Sequence, residues 1–133
     1  EICALDATRR ARPGGVTLAE LVREIRKKYP ALLLMADTAG FEEMKDAEAL
    51  GFDFLGTTMR GYTEDTRGVS IPDFDLIRRA AKELHTPIIA EGGILEPSQL
   101  SHALAAGAYA AVIGGAITRP QNITKRFVAA IQK

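Results

Sequence analysis

The chain has 133 residues, enough for one domain whose core buries roughly two-thirds of the unfolded surface. Seventeen Lys and Arg balance seventeen Asp and Glu, so no charge excess points to nucleic acid or an anionic membrane, and any anion must be recognised locally. The single cysteine, Cys3, excludes an internal disulfide, and no apolar run approaches the ~18 residues of a membrane span, so the cytoplasm is the expected compartment.

The sequence opens directly on an apolar strand pattern, Ile2 to Leu5, with no initiator Met ahead of it. A buried strand seldom starts a domain with so little before it, and we expect an N-terminal portion to precede this one. Four further apolar runs follow, Leu32 to Ala36, Phe54 to Thr57, Pro87 to Ala90 and Ala110 to Ile113. Each is nearly continuous rather than alternating, which predicts parallel strands covered on both faces.

Helical patterns lie between them. Leu18, Leu21, Val22 and Ile25 recur at helix spacing behind Thr17, a suitable N-cap. Met44, Ala47 and Leu50 make a second helix that stops at Gly51. Phe74, Ile77, Ala80, Ala81 and Leu84 make a third behind Asp73. Pro97 suits the first turn of a fourth, carrying Leu100, Ala103 and Leu104 and ending at Gly107. Ile123, Phe127, Val128 and Ile131 close the chain as an amphipathic helix. Five strand–helix repeats with short connections predict an α/β fold with a parallel sheet and no internal domain boundary.

The strand ends decide between an open sheet and a barrel. Each run finishes in a polar or phosphate-compatible group: Asp6, Asp37, Thr57-Thr58, Glu91-Gly92-Gly93 and Gly114-Gly115. An open sheet needs such groups only at its switch point, whereas a (β/α)8 TIM barrel gathers every strand end at one mouth. The barrel is therefore expected, with residues 1–133 supplying about five βα units as its C-terminal portion and about three strands lying in the N-terminal part.

Candidate chemistry follows from those ends. Gly114-Gly115 after the last strand lets backbone N–H groups approach a phosphate, and Arg119 can add bidentate contacts; a plain tight turn is the alternative. Gly92 and Gly93 form a second such pair. Glu91, directly after an apolar strand, suits a proton carrier with a raised pKa, or else a carboxylate paired with an arginine. Asp6 and Asp37 could orient sugar hydroxyls or a catalytic lysine, with capping and ion pairing equally good explanations. Thr58 and Tyr62 open the longest loop, which runs to about Pro72 and can contact sugar oxygens or simply pack on the rim. Arg9, Arg10 and Arg12 make a basic loop on the mouth side that we expect to pair with nearby acids. His85 and His102 have no partner at metal-ligand spacing, so no metal site is expected.

Ala4-Leu5-Asp6-Ala7-Thr8, Met35-Ala36-Asp37, Thr57-Thr58 with Gly61-Tyr62-Thr63, Ala90-Glu91-Gly92, and Gly114 through Pro120 together resemble the ordered signature of N-acetylmannosamine-6-phosphate 2-epimerases, across essentially the whole chain. The resemblance implies an isomerase of amino-sugar phosphates in sialic acid catabolism. It would interconvert N-acetylmannosamine 6-phosphate and N-acetylglucosamine 6-phosphate by removing and returning the C2 proton, without metal or redox cofactor. It further implies that Glu91 works opposite a lysine from an earlier strand, that Asp37 supports the site, and that Arg119 and glycine backbone hold the phosphate. Two departures stand out. Lys27, Lys28, Lys45, Lys82, Lys125 and Lys133 all fall on predicted helices or tails, so the lysine-bearing strand is not here and this segment alone should be inactive. Gly93 stands where some members carry a larger polar residue. Another phosphate-binding barrel enzyme, an aldolase or synthase, or a non-catalytic half-barrel, shares the glycine loop. The apolar face of the last helix is compatible with a homodimer and equally with packing on its own barrel.

Overall fold

Residues 1–131 of the computed structural model are described below. Five parallel strands form one sheet: β1 (Ile2–Asp6), β2 (Leu33–Asp37), β3 (Phe54–Gly56), β4 (Ile88–Glu91) and β5 (Ala110–Val112). Their spatial order is the sequence order, β1-β2-β3-β4-β5. A doubly wound sheet must reverse its strand order at a switch point, and this sheet never does. Sequential parallel pairing is the winding of a (β/α) barrel.

Helices α1 (Leu18–Lys28), α2 (Phe41–Ala49), α3 (Phe74–Glu83) and α4 (Pro97–Ala105) return the chain from one strand to the next. Their starts are written locally. Thr17 and Glu20 form a reciprocal capping box on α1, and the Asp73 carboxylate accepts from the Leu76 N–H at 2.9 Å to cap α3. After β5 come a four-residue helix α5 (Gly115–Thr118) and the last helix α6 (Pro120–Ile131). Helix α2 begins at Phe41, earlier than its apolar spacing suggests, because Gly40 provides an extended N-cap and Glu42 and Glu43 favour the first turn.

The core lies between the sheet and α1–α4. Leu34, Leu55, Ile77, Ile88 and Met44 are fully buried there, each contributing about 1.5–3 kcal/mol relative to exposure. Strand residues alternate in direction, so the side chains beside these face the other way. That second face is open: Ile2, Leu33 and Val112 are 56%, 40% and 44% exposed. The continuous apolar runs predict cover on both faces, and helices here cover only one. Strands β1 and β5 each pair on one side only, leaving two sheet edges.

Buried threonines knit the strand ends. Thr38 donates from both its N–H and its hydroxyl to the Gly56 carbonyl, at 3.0 and 2.8 Å. Thr57 accepts from the Glu91 N–H and donates to the Glu91 carbonyl, at 2.9 and 2.7 Å. These bonds continue the ladder past the last paired residues and hold the carboxyl rim rigid.

Candidate active site

The register sets the site. Asp6 is level with Asp37, Asp37 with Gly56, and Gly56 with Ile89. Glu91 and Thr58 lie two residues beyond Ile89 and Gly56, on the same open face. The Thr58 hydroxyl reaches both acids: it is 2.8 Å from Asp37 Oδ1 and 3.1 Å from Glu91 Oε2. Gly56 makes this bridge possible, since a Cβ there would sit 2.9 Å from the Thr58 hydroxyl oxygen and 2.8 Å from Met35 Cε.

Electrostatics follow from that geometry. Burial, partly offset by the Thr58 hydroxyl and reinforced by the Asp37 charge, raises the pKa of Glu91. Asp37 is also raised, by burial foremost, against the Thr58 bond and with the Asp6 charge adding to the shift. Asp6 differs. Burial works upward on it too, but hydrogen bonds from the Thr8 hydroxyl and N–H and from Arg10 win and lower its pKa. One member of the row is thus held ionised, while two are pushed toward the protonated form.

Next to Glu91 lies a cleft of about 640 Å³ between the loops that follow β3, β4 and β5. Eight of the ten residues singled out from sequence line it: Thr58, Tyr62, Glu91, Gly92, Gly93, Gly114, Gly115 and Arg119. Asp37 joins through Thr58. Asp6 does not line it; it is spent on Thr8 and Arg10 beside it. Arg119 makes no ion pair among the described residues, and its Cδ would lie 3.5 Å from a Cβ at Gly115, so the guanidinium stem runs alongside the glycine backbone. The arrangement offers a carboxyl group with a raised pKa on one wall and an arginine beside glycine backbone on the other. Clefts of this size suit a small phosphorylated metabolite.

Sequence reasoning missed Asn122 and Arg126, which line the same cleft from α6. Their spacing of three and seven from Arg119 is one helical face, and that was the available signal. Arg126 donates to the Leu95 carbonyl at 3.0 Å and lies 3.8 Å from Glu96, tying the last helix to the loop after Gly93. The other basic loop behaves as expected: Arg9 pairs with Asp46 and Arg10 with Asp6, while Arg12 donates to the Asp6 and Thr8 carbonyls. Lys27, Lys28, Lys45, Lys82 and Lys125 lie on α1, α2, α3 and α6, and none lines the cleft. Lys133 lies outside the described residues.

Residues 1–133 match the NanE family, described as "Putative N-acetylmannosamine-6-phosphate epimerase". The chain belongs to this family. A Listeria welshimeri relative named "Putative N-acetylmannosamine-6-phosphate 2-epimerase" is 52% identical over the whole chain, and one of the same name from Enterobacter sp. strain 638 is 52% identical over 99% of it. The solved N-acetylmannosamine-6-phosphate 2-epimerase of Clostridium perfringens superposes on 98% of the chain with a TM-score of 0.90 and 47% identity. The chain spans 57% of the length of those two curated relatives and 56% of the solved NanE chain. No helix among the described residues is long and apolar enough to cross a membrane.

Proposed function

We propose that this chain is the C-terminal part of a (β/α)8 barrel that epimerises N-acetylmannosamine 6-phosphate and N-acetylglucosamine 6-phosphate in cytoplasmic sialic acid catabolism. The observation that carries the reading is the placement of Glu91 and of Gly114, Gly115 and Arg119 around one cleft, at the same rim of the sheet. A phosphate on the glycine amides and Arg119 sets the length of the substrate, so its reacting carbon falls within reach of the Glu91 wall. Family membership at about half identity supports the substrate class.

The chemistry demanded is loss of a proton from C2 and its return on the other face. A carboxyl group whose pKa is raised by burial holds and returns a proton more readily than an ordinary carboxylate. The charge that develops on the carbonyl oxygen is stabilised by donors already in place around the cleft, among them the Tyr62 hydroxyl. Asp37 supports Glu91 through Thr58 and contributes its charge. The second base is a lysine expected from the N-terminal strands, which also close the open inner face and the edges of β1 and β5. A homodimer would use the exposed Phe127 and Ile131 of α6.

Joining the chain to an N-terminal barrel segment and following conversion of N-acetylmannosamine 6-phosphate by NMR tests the proposal. We expect conversion in the completed barrel and none in its Glu91→Gln variant. Full conversion by the isolated 133-residue chain would overturn the division of labour, and an inactive completed barrel that folds would overturn the reaction.

A further inference from the structure

Thr58 stands between two carboxyl groups with only one proton to give. Its oxygen is 2.8 Å from Asp37 Oδ1 and 3.1 Å from Glu91 Oε2, both hydrogen-bond distances. If both acids were ionised, one of those contacts would bring two acceptors together with nothing between them. The balance closes when the hydroxyl donates to one carboxylate and accepts from the other as a carboxylic acid.

We infer that Asp37, Thr58 and Glu91 form a relay holding one shared proton, which passes between the two carboxyl groups through the threonine hydroxyl. In the forward step the Asp37 carboxyl O–H bond breaks and its proton joins Thr58 Oγ, while the Thr58 O–H bond breaks and its proton joins Glu91 Oε2. Two O–H bonds break and two form; one unit of negative charge moves from Glu91 to Asp37, and no co-reactant is needed. Glu91 can thereby be recharged as an acid without opening the site to water.

The surroundings favour a shared proton rather than two free charges. Burial raises both acids, and each side has a neighbour of like sign: Asp6 faces Asp37 from β1, and Asp37 faces Glu91. No cation makes an ion pair with Asp37 or Glu91 among the described residues. Arg10 is bound to Asp6, and Arg126 to the Leu95 carbonyl, while Arg119 and Tyr62 line the cleft and make no hydrogen bond to either acid among the described residues. Gly56 preserves the path, because any side chain there would collide with the Thr58 hydroxyl.

The shared proton stands on the Thr58 geometry, with burial of both acids in support; its role in turnover rests on the epimerase reading above. The test compares Thr58→Val and Thr58→Ser in the completed barrel, with ¹³C-labelled carboxyl groups followed by NMR across pH. Native protein should show Asp37 and Glu91 titrating as one coupled pair in two separated steps. Thr58→Val should uncouple them and lower kcat by about tenfold or more, with KM little changed, as expected when a proton-transfer route is cut. Thr58→Ser, which keeps the hydroxyl, should restore the coupled titration. Independent titration in the native protein, or an unchanged coupled titration and kcat in Thr58→Val, would overturn the relay. Coupled titration in a native protein that epimerises nothing would support the shared proton and sink the epimerase reading alone.

Discussion

Replacing Gly93 by alanine isolates one contact at the floor of the cleft. Gly93 has φ +75°, in the left-handed region, and a Cβ there would lie 2.8 Å from the Ile71 carbonyl carbon and 2.9 Å from its oxygen. Those atoms are backbone, so they yield only by moving the loop that precedes α3. The left-handed conformation costs a side chain about 1–2 kcal/mol, and forcing an extra carbon into a filled site costs about 1–3 more, so roughly 2–5 kcal/mol is expected in all. Gly92→Ala is the built-in control: φ is +95°, but the nearest non-neighbouring atom is the Thr57 oxygen at 3.9 Å. It should lose only the backbone part, about 1–2 kcal/mol. Urea unfolding of both variants in the completed barrel, with m unchanged, measures the difference. Equal losses for the two, within about 0.5 kcal/mol, would show that the Ile71 contact does not exist.

Asp73→Ala removes the α3 cap and the partner of Arg60, whose Nε and Nη2 lie 3.0 and 2.7 Å from the carboxylate. The cap is worth about 1 kcal/mol and the unpaired, largely buried guanidinium about 1–3 more, so thermal unfolding should fall by several degrees; an unchanged Tm would refute this. Glu91→Gln should raise stability at neutral pH while abolishing turnover. A carboxyl whose folded pKa lies above its ordinary value of 4.5 costs stability as pH rises from that value through the folded one, and the amide carries no such cost. A variant equally stable at pH 4 and pH 8 relative to native would contradict the shift. The isolated chain, with β1 and β5 unpaired at their outer edges, should associate in size-exclusion chromatography, and a monodisperse monomer would argue against open edges.

Much of the architecture is legible in the sequence because strand-to-helix period changes are local. Thr17, Asp73 and Pro97 mark helix starts through chemistry that needs no tertiary partner. The polar residues ending every strand point to convergence at one mouth; the cleft beside Glu91 gathers those that follow β3, β4 and β5, Asp37 joins through Thr58, and Asp6 lies outside it. What could not be read depends on register or on distant chain. The Thr58 bridge exists because Gly56 is level with Asp37 and Ile89, a relation that strand pairing alone fixes. Asn122 and Arg126 face the cleft because α6 starts at Pro120 rather than at its first apolar residue. The bare inner face escaped notice because runs such as Leu32 to Ala36 look alike whether one side is covered or two. Asp6 looks equivalent to Asp37 in sequence, yet Thr8 and Arg10 claim it.

Proton exchange at C2 is the most direct probe of the central claim. With the completed barrel in D2O and N-acetylmannosamine 6-phosphate as substrate, NMR should show deuterium entering at C2 as the epimer forms, and neither event in Glu91→Gln. Epimer formed with its C2 proton fully retained, or deuterium entering at the native rate without Glu91, would contradict a site in which this carboxyl carries the proton.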